Sequence, residues 1–296
     1  TPLHEHLKAR GAVFGEVAGW ERANWFANPG QEREYRYSWK RQNWFDNQKA
    51  EHMAVRTGVG FFDMTSFGKI RVEGRDACAY LNRLCSAQMD VATGRIVYTM
   101  LLNEKGGIEA DLTVARLSED RFYIVTGTGF RTHDYGWIAD HLPKAGVSFE
   151  DVTEGWGTLS LMGPRARDIL AAVTAEDVSN AALPFGSARI LTIAGVKVRA
   201  LRVTYVGELG WELHCPINQL GEVYDALMAA DPALRPVGYR ALESLRLEKG
   251  YRAWSSDITP NDTPFEAGLG WAVKLKSSTP FLGRAALEAA RGKPLT

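Results

Sequence analysis

Carboxylates on two glycine-punctuated hairpins are the side chains of this sequence most suited to chemistry. The first hairpin reads Tyr98-Thr-Met-Leu-Leu-Asn-Glu-Lys-Gly-Gly-Ile-Glu-Ala-Asp-Leu-Thr-Val114. Strand formers fill 98–102, and Asn103 to Gly107 supplies a turn with two glycines free to take positive φ. The second arm then alternates. Ile108, Ala110, Leu112 and Val114 share one face, and Glu109, Asp111 and Thr113 share the other. A carboxylate such as Asp111 can orient a nitrogen, stabilise positive charge on it and relay its proton. Pattern alone nevertheless predicts that this polar face is open to water, as in most antiparallel hairpins. The second hairpin reads Arg202-Val-Thr-Tyr-Val-Gly-Glu-Leu-Gly-Trp-Glu-Leu213. Two strands are expected around its turn, with Glu212 just beyond it. Glu212 by itself reads as an exposed strand carboxylate, of the kind that accepts two N–H bonds at once.

Other chemistries find little support. There is no nucleophile-elbow motif, and the six histidines contain no metal-ligand pair. His52, His133 and His214 read as structural, and no metal is expected. Cys78, Cys85 and Cys215 are odd in number and lack metal-ligand spacing, so they read as reduced, mostly buried thiols. The 35 Lys and Arg balance the 35 Asp and Glu, and no basic run stands out. A nucleic-acid partner therefore has no electrostatic support. No apolar run is long enough to span a membrane, and the N-terminus is not a signal peptide. The expectation is a soluble, cytoplasmic protein.

The elements that must position these carboxylates fall into two groups. With 296 residues, nearly half of them apolar, the chain can form two units with real cores. Residues 1–46 are dense in Trp, Tyr and Phe among Arg, Glu and Asn. They predict short helices and turns that dock on something, since a disordered tail would be poor in aromatics. Asn47 to Thr57 predicts a helix with Asn47 as N-cap and with Ala50, Met53 and Ala54 near one face. A short strand follows at 59–64. Residues 66–150 predict an antiparallel sheet with helices on one face: strands at 69–72, 98–102, 108–114 and 121–126, and helices at 74–84 and 131–142. From Glu154 onward come a strand at 158–162, a helix at 165–172, a hairpin at 189–203 and helices at 220–229 and 241–249. The last helix stops at Gly250, a natural residue to follow a helix end. The fold class is α+β.

The wording of these stretches resembles the glycine-cleavage T-protein (aminomethyltransferase) family. Tyr-Thr-x-Met-Leu-Asn followed by Gly-Gly-Ile and Asp is similar to its signature hairpin, and Arg-x-x-Tyr-x-Gly-Glu-x-Gly-x-Glu to its second. Gly58-Val-Gly-Phe-Phe-Asp-Met-Thr-Ser-Phe-Gly-Lys-Ile70 resembles its early motif, which makes Asp63 and Ser66 possible ligand neighbours or simply turn caps. The resemblance implies two antiparallel-sheet units around a central tetrahydrofolate cavity. It implies that Tyr98 and Asp111 line that pocket, that Asp111 acts on the folate nitrogens, that Glu212 bonds the amino-pyrimidine edge of the pterin, and that Tyr205 borders it. The implied organisation is a connecting segment at 1–46, a discontinuous first unit at 47–65 plus 151–275, an inserted unit at 66–150, and the start of a further region at 276–296.

One branch of the family fits better than the rest. Phe14-Gly-Glu-Val-Ala-Gly-Trp-Glu-Arg-Ala-Asn-Trp-Phe26 and Arg246-Leu-Glu-Lys-Gly-Tyr-Arg-Ala-Trp254 are similar to dimethylglycine and sarcosine dehydrogenases, as is the run 263–275. T-proteins carry an Arg just before Ser-Leu-Arg-Leu-Glu that helps to hold the folate. Here that place is Leu242, with Arg240 and Arg246 nearby. The branch implies an iminium or formaldehyde delivered from a flavin domain, with 5,10-methylenetetrahydrofolate as product. No Gly-x-Gly-x-x-Gly appears at a strand–helix junction, so FAD is expected only in a partner or upstream domain. Opening on Thr1, the chain reads as part of a larger oxidoreductase without the family's final β-barrel. The alternatives are a freestanding aminomethyltransferase and a non-catalytic folate-binding module.

Overall fold

The computed structural model describes residues 1–292. The chain begins α1 (His4–Ala9), β1 (Ala12–Val17), β2 (Trp20–Phe26), α2 (Phe45–Thr57), β3 (Gly60–Asp63). It continues β4 (Gly68–Glu73), α3 (Ala77–Leu84), β5 (Ile96–Leu102), β6 (Ile108–Arg116), β7 (Arg121–Thr126), α4 (Arg131–Asp140), β8 (Ser148–Asp151). Then follow β9 (Trp156–Met162), α5 (Ala166–Val173), β10 (Ala188–Ile193), β11 (Val196–Leu201), β12 (Gly210–Pro216), α6 (Leu220–Ala230). It closes with β13 (Arg235–Pro236), α7 (Tyr239–Glu248) and α8 (Arg284–Ala290). The class is α+β, with open, largely antiparallel sheets and no closed barrel among the described residues. No described helix is long and apolar enough to cross a membrane.

Two compact units share the chain, each of two segments. One comprises 1–66 and 153–251, the other 67–152 and 252–296. The inserted segment is 67–152, where 66–150 was expected. Two expectations need correction. Residues 1–46 are built into the first unit, and 252–275 belong with the inserted segment. Residues 293–296, at the end of the expected C-terminal region, lie outside the described residues.

In the first unit a six-stranded sheet runs β10-β11-β12-β9-β3-β13. Alternation along β12 sends Trp211, Leu213 and Cys215 into a core with Leu159, Leu161, Leu170 and Leu227. The aromatic N-terminus has the expected short helix, α1, and turns over 27–44, with a hairpin over 12–26 that was not expected. Val13, Phe14, Val17, Trp20 and Trp25 favour strands. Ala18 (φ 52°) and Gly19 (φ 82°) make the left-handed turn between them. Helix α2 also departs from expectation. Its buried row is Asn47, Glu51 and Val55, while Met53 is 47% exposed. Trp44 takes the N-cap position, and the Asn47 amide instead donates to Phe26 O at 2.7 Å. Long-range backbone bonds decide which face of this helix is inside.

In the second unit five antiparallel strands run β5-β6-β7-β4-β8. Ala110, Leu112 and Val114 join a core with Tyr80, Leu81 and Leu84 of α3 and Ile138 of α4. The opposite face is covered too. Met100, Leu102 and Ile108 pack with Ile258, Leu269, Phe281 and Leu287 from the returning segment; Ile108, expected on the Ala110 face, is turned to this one by a register shift between Leu101 and Leu102. Lys274 pins that segment. Its ammonium donates to the carbonyls of Asn82 (2.5 Å), Cys85 (3.0 Å) and Ala87 (3.0 Å), which lie in and just past α3. The three cysteines are free thiols, Cys85 and Cys215 buried and Cys78 half-buried.

Candidate active site

The β5–β6 hairpin is fixed by its turn. The Asn103 side-chain oxygen accepts the N–H groups of Lys105 (3.0 Å) and Gly107 (2.9 Å). Gly106 sits at φ 84°. At Gly107 the backbone of Pro260 approaches so closely that a Cβ would lie 1.8 Å from its carbonyl oxygen. With the register so set, Met100 faces Asp111 and Tyr98 faces Thr113. Tyr98 and Asp111 are therefore diagonal neighbours on one face. The Tyr98 hydroxyl donates to Asp111 Oδ2 at 3.0 Å. Trp271 from the returning segment stacks on Tyr98, with ring centroids 5.8 Å apart at 24°, and is itself 74% exposed.

The water-facing prediction for this face fails because residues after 251 come back over it. Asp111 ends up half-buried. Desolvation is the largest influence on its carboxyl and pushes it up to about 6; the Tyr98 hydrogen bond opposes this, and the negative charge of Asp134 adds to it. A carboxyl held near 6 can both keep and release a proton close to neutrality.

A second group stands beside the hairpin. His133 Nδ1 lies 3.0 Å from Asp134 Oδ1, and its Nε2 3.7 Å from Glu109 Oε2. Asp134 is buried, accepts a short hydrogen bond from the Thr126 hydroxyl, and is raised by burial. The His133 ring leans on Trp254 at 5.5 Å, whose indole donates to Ile108 O at 2.9 Å. Sequence reasoning treated His133 as structural and missed Asp134 and Trp271. The available signal was the adjacent His133-Asp134 pair, following the Gly127-Thr-Gly break that ends a strand.

The other two predicted residues, Glu212 and Tyr205, belong to the first unit. On β12, Glu212 and His214 point away from the core row, where both are buried. His214 Nε2 lies 3.3 Å from Glu212 Oε2, and its Nδ1 3.0 Å from the Thr158 hydroxyl on β9. The Glu212 carboxylate is thus an oriented, buried acceptor rather than an exposed strand residue. Residues 202–209 are a loop and not the expected strand end, because β11 stops at Leu201. Tyr205 lies in that loop and stacks with Tyr251 at 6.1 Å. Leu242 is buried in α7. Arg246, also buried, donates to Tyr251 O at 3.0 Å and pairs with Glu243. Arg240 lies over Trp44 (5.2 Å) and Tyr35 (5.6 Å). Both arginines thus have structural partners in this unit. Asp63 caps its own turn, accepting Thr65 N at 3.0 Å. Ser66 is buried in the same turn and meets Tyr239. His52 is tied to Ser244 at 2.8 Å.

Comparison with known proteins agrees with this architecture. The GCVT N-terminal domain family matches residues 3–277. Mitochondrial sarcosine dehydrogenase of Homo sapiens is 39% identical over 99% of this chain, which spans 36% of that protein, about a third of its length. The aminomethyltransferase of Saccharopolyspora erythraea is 35% identical over 99% of this chain and 75% of its own. The crystal structure of glycine cleavage system aminomethyltransferase T from Bartonella henselae superposes with a TM-score of 0.83, at 29% identity, over 98% of this chain and 74% of that one. The chain therefore belongs to the glycine-cleavage T-protein family, as an aminomethyltransferase-type domain related to the sarcosine dehydrogenases.

Proposed function

We propose that this chain is the tetrahydrofolate-binding, one-carbon-accepting module of a dimethylglycine/sarcosine-type N-methyl amine dehydrogenase or oxidase, yielding 5,10-methylenetetrahydrofolate. The observation that carries this reading is the half-buried Asp111, held by the Tyr98 hydroxyl and pushed up to about 6. The residues present suit a reduced pterin. Such a ring offers flat faces and a row of N–H donors. The chain offers the stacked rings of Tyr98 and Trp271 and the oriented carboxylate of Glu212. Tetrahydrofolate, when bound, would supply two nucleophilic nitrogens for one electrophilic carbon, with the amine of an iminium, or the oxygen of formaldehyde as water, leaving that carbon. Asp111 then orients one of those nitrogens, offsets the positive charge that develops on it and takes up its proton. Tyr98 fixes the Asp111 rotamer by its hydrogen bond. Glu212 accepts the amino-pyrimidine donors, its orientation set by His214. Tyr205 borders the pterin. FAD and the amine oxidation reside in a partner or an upstream portion.

One comparison favours a second reading, a freestanding aminomethyltransferase acting on a lipoyl-carried aminomethyl group. The chain covers 75% of the Saccharopolyspora erythraea aminomethyltransferase. The Leu242 departure and the aromatic N-terminal hairpin weigh toward the first reading.

The deciding experiment supplies the chain with tetrahydrofolate and a flavin-bearing N-methyl amine dehydrogenase, as partner or fusion. Amine consumption and methylenetetrahydrofolate are followed separately. Asp111→Asn should slow methylenetetrahydrofolate formation on the order of a hundredfold while leaving amine consumption unchanged. A wild-type rate in the Asn variant would make Asp111 an ordinary hairpin carboxylate. Turnover only with an aminomethyl-loaded lipoyl carrier would favour the second reading. Folate binding without any transfer would leave a non-catalytic module.

A further inference from the structure

The face of the six-stranded sheet turned away from the core row carries polar residues where a buried sheet face is ordinarily apolar. Strands β12 and β9 pair without a shift of register from Gly210 to Pro216. Glu212 stands opposite Ser160, and His214 opposite Thr158. All four are buried, and Glu212 is the most open of them at 7%. We propose that His214 and Thr158 are positioning residues for Glu212: Thr158 fixes the imidazole, and the imidazole fixes the carboxylate so that it selects ligands with an amino-pyrimidine edge. The proposal rests on the reading of Glu212 as the group that meets the pterin.

The neighbours of Glu212 on the sheet leave this task to the imidazole. Gly210, two residues back along β12, has no side chain. Leu201, opposite on β11, has no side-chain donor. Ser160 spends its hydroxyl on Met64 Sδ at 2.8 Å. His214 Nε2 lies 3.3 Å from Glu212 Oε2, and among the described residues no other group bonds or pairs with that carboxylate. An ionised carboxylate only accepts, so Nε2 carries the proton of this contact. The Thr158 hydroxyl meets the other nitrogen, 3.0 Å from Nδ1. The ring is thus held at both nitrogens and cannot turn without losing a bond. Thr158 is anchored in its turn. Its N–H donates to the Thr65 hydroxyl at 3.1 Å, and its carbonyl accepts Met64 N at 2.9 Å. An ordered chain of contacts therefore runs from the turn after β3 through Thr158 and His214 to Glu212.

A carboxylate held in this way has a definite use. Its two oxygens offer about four acceptor sites, and His214 takes one. An amino-pyrimidine edge presents two parallel N–H donors, which a carboxylate in a fixed plane accepts as a fork. A carboxylate free to rotate would lose that freedom on binding and would accept one donor as readily as two. Fixed orientation thus favours the two-donor edge. A ligand with one donor leaves a buried acceptor unpaired, and that penalty is what discriminates.

Two measurements test this, the first without ligand. In 15N-histidine NMR of the chain, the His214 ring, assigned by its loss in His214→Gln, should carry a proton on Nε2. A ring with no proton there overturns the proposal. Calorimetry then compares tetrahydrofolate with its 2-desamino analogue, which lacks one donor. The wild-type chain should prefer tetrahydrofolate about tenfold or more. Thr158→Val keeps the side-chain shape without the hydroxyl, and His214→Leu removes the ring. Each should reduce the preference to about threefold or less. Thr158→Ser keeps the hydroxyl and should keep the preference. A merely structural role would weaken both ligands alike, so an unchanged ratio in Thr158→Val overturns the proposal. That variant is the milder one and keeps the test valid should the His214 change unfold the chain. A preference that the variants retain sinks the positioning argument alone. A wild-type chain that binds both ligands equally removes the amino-pyrimidine reading of Glu212, and the proposal with it.

Discussion

Glu51 offers a prediction whose size follows from the structure. It sits mid-way along α2 and is 1% exposed. One carboxylate oxygen accepts the N–H of Phe26 at 2.8 Å, at the end of β2, and the other accepts the N–H of Gly238 at 2.7 Å, at the N-cap of α7. A single side chain thus ties the N-terminal hairpin to a helix more than two hundred residues further along. Desolvation dominates its carboxyl and pushes it up to about 7 from an ordinary 4.5, against the two backbone bonds and Arg235. The sign of the consequence is definite. Between about pH 4.5 and 7 the folded chain keeps a proton that the unfolded chain has released. The contribution to stability is therefore complete below about pH 4.5 and is lost as pH rises through 7. At about 1.4 kcal/mol per unit, that interval corresponds to about 3 kcal/mol. Glu51→Gln removes the titration. It keeps one acceptor oxygen but sets an amide NH2 against the second backbone N–H, so it loses one buried bond at every pH. Urea unfolding followed by tryptophan fluorescence should be measured for both proteins from pH 4.5 to 8. The stability difference, wild type minus variant, should fall by about 3 kcal/mol across that window. A difference that stays flat or grows with pH would refute both the burial argument and the sign.

Three further outcomes are expected. Glu212→Ala leaves pterin donors unpaired and should weaken tetrahydrofolate binding about ten- to a hundredfold by calorimetry, a loss of roughly 1.5–3 kcal/mol; unchanged affinity removes Glu212 from the site. Lys274→Met strips the donor from three carbonyls at the end of α3 and should cost roughly 2–4 kcal/mol in chemical denaturation, with the loss confined to the second unit. Gly107→Ala places a methyl where only 1.8 Å separates the Cβ position from Pro260 O, and should lower stability by about 2 kcal/mol or more, with loss of hairpin amide protection in hydrogen exchange; an unaltered melt would show that the Pro260 loop gives way freely.

The sequence by itself determined much of the local structure, because local rules suffice where periodicity and turn chemistry are strong. Alternation in 110–114 and the Asn103–Gly107 turn specify β6 and its partner strand, though not the register shift that turns Ile108 to the other face, and Gly250, with φ 66°, ends α7 as its position implies. The wording of the two hairpins also carried the family and the choice of Tyr98, Asp111 and Glu212. What only the tertiary structure decided were the surroundings of those residues. The Asp111 face reads as solvated because nothing nearby in sequence covers it; the cover arrives from residues 254–287, far along the chain. The pattern of α2 points to Ala50, Met53 and Ala54, yet Glu51 is inside because two distant backbone N–H groups need its oxygens. His133 and Asp134 look like ordinary helix residues until the start of β6 is laid beside α4. Periodicity reports which face of an element is apolar. It cannot report which polar group will be enclosed by a later segment, and a carboxyl acquires an altered proton affinity through that enclosure.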